Sequence, residues 1–132
     1  MNIWLLCCAV LVLLYFALSV NVSRLRGKTK TGIGTGDDPS GPLNKAVRAH
    51  GNAAEYTPLF VALFLYFSLS GWGGWVVWVA VILTICRVLH ALGMIMTSSF
   101  RGPPHPLRLI GGAGTYLGGF VLGVALLIRA FV

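Results

Sequence analysis

Arg48, Asn52 and Glu55 stand at spacing i, i+4 and i+7, which on an α-helix places a guanidinium, an amide and a carboxylate on one face. They belong to the run Arg48-Ala-His-Gly-Asn52-Ala-Ala-Glu55-Tyr56-Thr-Pro58, which passes directly into the apolar block from Leu59 to Leu69. Such a set can hold an anionic ligand. Arginine forks onto a carboxylate, the amide both donates and accepts, and the glutamate meets an ammonium or amides. A second pair, Arg87 and His90, interrupts another apolar run. An ionised side chain in hydrocarbon costs at least ~2.5 kcal/mol on insertion scales, so charges persist there mainly where they pair or serve a site or pathway.

The elements that must position these groups are membrane helices. The chain has 132 residues, of which 57% are hydrophobic and 10% charged, with a mean hydropathy of +0.84. That leaves too little polar surface to cover a soluble globule. The pattern predicts an all-α, integral-membrane four-helix bundle forming one domain over 1–132. Its helices are expected at about 2–22, 44–70, 75–97 and 107–130, with cytoplasmic loops at about 23–43 and 98–106. A formal net charge of +7 would suit nucleic acid, but the basic residues lie in loops and helix ends between apolar runs, as the positive-inside rule requires, so no nucleic-acid partner is expected.

The first apolar run, Ile3 to Val20, carries no basic residue before it and is followed by Arg24, Arg26, Lys28 and Lys30. This order predicts a retained helix rather than a signal peptide, with both chain termini on the outer side. In the following loop, Gly27-Lys28-Thr29 and Gly32-Ile33-Gly34-Thr35-Gly36 lack the strand, helix and glycine spacing of phosphate-binding or dinucleotide turns. Cys7, Cys8 and Cys86 lie inside apolar runs without metal-type spacing and read as small buried hydrophobes. Trp72, Trp75 and Trp78 cluster at a turn between the second and third helices, as aromatic side chains do at a bilayer interface. Pro58 frees the Ala54 carbonyl and marks a place where the second helix could bend.

Glu55 and Arg87 are equidistant along the chain from Gly71 in that turn. At 1.5 Å per residue both should lie about 24 Å from it, which predicts a Glu55–Arg87 pair, with Asn52 opposite His90 and Arg48 opposite Met94. A buried ion pair fixing helix register is one reading. One glutamate cannot neutralise two arginines, however, and the remaining positive charge favours a pocket for a carboxylate or thiolate. His105 reads as a solvated loop residue beside Pro103, Pro104 and Pro106. Gly111, Gly114 and Gly118, with Gly112, Gly119 and Gly123, give the last helix small-residue spacings suited to close approach.

The Arg48–Pro58 run, continuing into Leu59-Phe60, resembles the second-helix signature RxxxNxxEyxPlf of the membrane-associated proteins in eicosanoid and glutathione metabolism. Arg87-Val88-Leu89-His90 resembles that family's third-helix signature, and helix count and loop lengths agree over nearly the whole chain. The resemblance implies a homotrimer of four-helix subunits binding glutathione between neighbours near the cytoplasmic face. It implies that Arg48, Asn52, Glu55 and Tyr56 hold the peptide, that Arg87 and His90 contribute from the third helix, and that Arg26 binds a carboxylate. Arg101 matches the arginine that activates the thiol in the family's leukotriene-forming enzyme. Met94 stands where eukaryotic relatives commonly carry a tyrosine, and His90 where the leukotriene-forming enzyme has one.

The residues suit that chemistry independently. Glutathione carries two carboxylates, one ammonium and a thiol, and a nearby guanidinium favours the nucleophilic thiolate. The expectation is an integral-membrane glutathione transferase or peroxidase, with a lipophilic electrophile or hydroperoxide arriving from the surrounding lipids in a bacterial inner membrane. The alternatives are a non-catalytic trimeric membrane protein, with either a glutathione-like ligand pocket or a purely structural polar face, and a proton-coupled exporter. An exporter wants its glutamate free to titrate.

Overall fold

The computed structural model describes residues 1–100 and 102–131. Among them are four helices: α1 (Ile3–Thr29), α2 (Pro42–Leu69), α3 (Trp75–Met96) and α4 (Pro106–Arg129). The helices α1, α3 and α4 are each long and apolar enough to cross a membrane. With 28 residues, α2 matches their length, but its first half is polar and its continuous apolar block begins only at Leu59. The chain is a multi-pass membrane protein.

Helix ends follow local chemistry. The Asn2 side chain caps α1 by accepting from Leu5 N–H at 3.2 Å, and Gly41-Pro42 opens α2 with proline in its first turn. His105, expected to be solvated, caps α4: its Nδ1 accepts from Leu107 N–H at 3.3 Å. At its far end α1 runs to Thr29, well past the expected limit near residue 22. The added turns hold Arg24, Arg26 and Lys28, good helix formers whose charge suits a helix C-terminus, and Lys30 ends the helix in a left-handed conformation. At 27 residues, α1 is about 40 Å long, more than the ~30 Å of hydrocarbon, so its basic end projects beyond the apolar layer.

The bundle is organised as two closely packed hairpins, α1 with α2 and α3 with α4, joined through α2–α3 and α1–α3 contacts. The most enclosed span is α3, with 44% of its apolar window buried against 28% for α1 and 22% for α4. At the tryptophan end, Trp4, Cys7, Cys8 and Leu11 of α1 meet Phe60, Phe64 and Phe67 of α2 and Val76, Ala80 and Leu83 of α3. Trp4 and Trp72 both stack on Phe67, with ring centroids 6.2 and 5.7 Å away. Trp75 and Trp78 are exposed, and all three cysteines are free and buried. At the basic end the core is thinner: Leu18, Ala49, Ala53, Ala91 and Met94. The helix α2 continues through Pro58.

Glycine permits the α3–α4 approach. A Cβ on Gly111 would stand 2.5 Å from both Cys86 O and His90 N, and one on Gly93 would collide with the Arg108 backbone. Both obstacles are main chain and cannot swing aside. By contrast, a Cβ on Gly123 meets nothing within 4 Å. Two substitutions in one helix should therefore act with opposite sign. Gly111→Ala should destabilise the detergent-solubilised protein by ~1–3 kcal/mol through overpacking, whereas Gly123→Ala should stabilise it by up to ~1 kcal/mol. Thermal unfolding followed by circular dichroism reads both, and equal shifts would count against the packing described.

Candidate functional site

At the basic end of the bundle lies a cavity of about 690 Å³. Arg48, Asn52 and Glu55 line it from α2, Met94 from α3 and Arg108 from α4, while Pro39 and Phe100 close it from the two loops. The i, i+4, i+7 face thus forms one wall. The volume falls within the ~300–1,000 Å³ of sites for small-molecule ligands.

The wall is turned outward by the core on the other side of α2. Ala46, Ala49, Ala53, Thr57, Phe60, Phe64 and Phe67 are buried at steps of three or four and form the stripe that packs into the bundle. At 100° per residue, Glu55 sits about 160° from that stripe at Ala53 and Thr57, and its side chain is exposed.

That rotation overturns the expected Glu55–Arg87 pair. Arg87 is 1% exposed, and its Nη2 donates to Asn52 Oδ1 at 2.7 Å and to the Asn52 carbonyl at 3.3 Å. Its Nη1 donates to Thr115 Oγ1 at 3.5 Å, and its guanidinium carbon lies 4.9 Å from the Tyr56 ring centroid. Equal distance from Gly71 set the depth nearly right, since Asn52 and Tyr56 bracket Glu55. It could not set the rotation that brings Asn52 and Tyr56, and not Glu55, to face α3.

The expected Asn52–His90 pairing also fails, because His90 faces α4. Its Nδ1 lies 2.9 Å from the Arg108 carbonyl, and its backbone meets Gly111. Arg26 donates to the Thr31 and Gly32 carbonyls at 3.4 and 2.9 Å, tying the first loop to the end of α1 away from the cavity. Arg101 lies outside the described residues.

Arg87 sits behind the wall and fixes what the wall presents. A guanidinium only donates, so Asn52 must turn its Oδ1 toward Arg87, which leaves its NH₂ to meet a ligand. The acceptors around Arg87 are neutral, so its positive charge is delocalised over bonds and a ring face without being cancelled.

Arg108 adds a cation that was not singled out as a site residue. It follows a proline-rich loop and reaches the cavity only because glycine at Gly93 lets α4 cross α3 there. Its guanidinium carbon stands 5.2 Å from the Phe100 ring centroid, which steadies the side chain. Met94 lines the same cavity without a hydroxyl to offer. Ser40 Oγ donates to Ser99 Oγ at 3.3 Å and joins the first loop to the second beside the cavity residues Pro39 and Phe100.

Fold and site together define a helical membrane protein with a net-positive polar cavity at one end of its bundle. The chain belongs to the MAPEG family, whose profile matches residues 4–128. Relatives include the inner membrane protein YecN of Escherichia coli strain K12 and its counterpart in strain O6:H1. Each is 33% identical over 84 residues, spanning 61% of this chain and 61% of the relative's length.

The Arg87–Asn52 contact can be tested by coupling. Asn52→Ala should cost ~1.5–3 kcal/mol, because a buried cation loses its shortest hydrogen bond. The same change in an Arg87→Met background should cost much less, and the two substitutions should couple by more than ~0.5 kcal/mol. Glu55→Gln, at an exposed position, should stay within ~0.5 kcal/mol of the parent. Denaturant unfolding in detergent measures all of these, and a large penalty for Glu55→Gln would restore the Glu55–Arg87 pair.

Proposed function

We propose that this protein is an integral-membrane glutathione-dependent transferase or peroxidase that activates the glutathione thiol toward lipophilic electrophiles or hydroperoxides. One observation carries the reading: Arg48, Asn52, Glu55 and Arg108 line a single cavity whose wall is backed by the buried cation of Arg87. Glutathione brings two carboxylates, an ammonium, two amides and a thiol. Arg48 and Arg108 supply forks for carboxylates, Glu55 an acceptor for the ammonium, and the Asn52 NH₂ a donor for a carbonyl. The net positive charge lowers the free energy of thiolate relative to thiol, and the thiolate is the nucleophile. Arg101, by its match to the family's thiol-activating arginine, is assigned that role.

The same reading assigns a homotrimer, with the exposed Glu55 side of α2 turned toward a neighbouring subunit, and a bacterial inner membrane like that named for the YecN relatives. Both termini are assigned to the outer side, because the basic end carries the loops. Binding without turnover is the second reading. It is favoured by Met94, which presents no phenol to the cavity, and by His90, whose Nδ1 is engaged with the Arg108 carbonyl.

Calorimetric titration of the detergent-purified protein with glutathione decides whether the cavity binds it. Arg48→Ala or Arg108→Ala should each weaken affinity by ~1.5–3 kcal/mol, roughly ten- to a hundredfold. Arg101→Ala should leave most of the affinity intact and reduce the ultraviolet thiolate absorbance that develops on adding glutathione at neutral pH. No saturable binding would refute the assignment. Binding without a thiolate signal in the parent would make the non-catalytic reading the better one.

A further inference from the structure

A second cavity opens on the opposite side of α2. This groove of about 220 Å³ takes Asn21, Arg24 and Leu25 from α1, Lys45 and the helix start at Pro42 from α2, and Ile95 from α3. Two cations from different helices line it and no carboxylate does. The first turn of α2 is likewise free of acidic residues, so the positive end of that helix adds to the field. Arg24 Nη2 donates to Asn21 Oδ1 at 2.9 Å, which holds the guanidinium in place and leaves its other N–H groups for a ligand.

The level of the groove selects the class of ligand. Arg24 comes just after the apolar run that ends at Val20, Ile95 is one residue from the end of α3, and Lys45 lies in the first turns of α2. All three therefore sit where the hydrocarbon-spanning segments give way to polar sequence, the level of phospholipid phosphates. Leu25 and Ile95 give the groove an apolar floor beside its cations, and exposed Leu92 continues the α3 face from Ile95 toward the bilayer interior. A phosphate attached to acyl chains matches both parts of that surface. A free anion uses only the first. We propose that this groove is a binding site for the phosphodiester headgroup of an anionic phospholipid, held between Arg24 and Lys45 with an acyl chain along Ile95 and Leu92. Basic pockets between membrane helices recognise such headgroups by the same combination.

Native mass spectrometry of the detergent-solubilised full chain, titrated separately with phosphatidylglycerol and phosphatidylcholine, tests the site. The parent should retain phosphatidylglycerol preferentially. Each of Arg24→Gln and Lys45→Gln should reduce that preference about fivefold, and the double variant about twenty-five-fold. The charge-preserving Arg24→Lys/Lys45→Arg variant should keep it, which separates loss of binding from loss of fold. Lys28→Gln/Lys30→Gln removes two cations of the same end outside the groove and should leave the preference unchanged. Equal retention of the two lipids would overturn the proposal, as would an equal loss in the Lys28/Lys30 variant. Displacement of the lipid by millimolar inorganic phosphate would also overturn it, by showing that the groove takes a free anion.

Discussion

An arginine with 1% of its surface exposed, inside a bundle built for lipid, is the constraint on which the rest of this structure turns. Arg87 cannot be left without partners, because desolvation of an ion costs several kcal/mol even after relaxation. Its bonds reach Asn52 on α2 and Thr115 on α4, with Tyr56 of α2 beneath the guanidinium. Three helices are thus tied to one side chain on the most enclosed of them. Between α2 and α4 the Tyr56 and Tyr116 rings also meet, with centroids 6.3 Å apart, and Arg87 adds directional polar bonds to that apolar contact. The glycines of α3 and α4 serve the same end, since Thr115 comes within reach only where Gly111 and Gly114 allow α4 to lie against Cys86 and His90.

The two ends of the bundle divide the work. At the tryptophan end, aromatic and aliphatic side chains from all four helices, Leu122 and Ala125 of α4 among them, fill the core. At the basic end the buried set shrinks to alanines, a leucine and a methionine, and the remaining volume becomes the cavity. Small core residues such as Ala49 and Ala53 keep α2 close to its neighbours, while the side of α2 that carries Arg48 and Glu55 remains open. A polar cavity at the end of a membrane bundle is compatible with stability because its backbone is already satisfied within helices and only side chains need partners.

Much of this was legible in the sequence, and what was not has a physical cause. The apolar runs separated by the first loop, Gly71–Gly74 and the proline-rich second loop fix the four helices, and the i, i+4, i+7 spacing does bring Arg48, Asn52 and Glu55 into one cavity. The relation of Glu55 to Arg87 was misread because distance along two helices gives depth only. Azimuth follows from the buried stripe of Ala49, Ala53, Thr57 and Phe60, which is present in the sequence and would have turned Glu55 away. The end of α1 was misread because polarity was equated with loop, although Arg24, Arg26 and Lys28 sustain a helix beyond the hydrocarbon. Arg108 carries no spacing signal at all. It reaches the cavity through a crossing at Gly93 that is a property of packing rather than of pattern.

The neutral partners of Arg87 have a further consequence for the cavity. Had Glu55 paired with Arg87, the two charges would have cancelled behind the wall and the field in the cavity would come from Arg48 and Arg108 alone. With Asn52, Thr115 and a ring face as partners, the guanidinium is stabilised yet its charge persists, and in a medium of low effective dielectric such a charge is felt across several ångströms. Asn52 transmits it, because an amide whose oxygen is drawn onto a cation becomes a stronger donor at its nitrogen. Glu55, released from Arg87, is left on the cavity face as an acceptor. The wall therefore offers separated positive and negative ends to a ligand, the arrangement that orients a zwitterionic molecule rather than a simple anion.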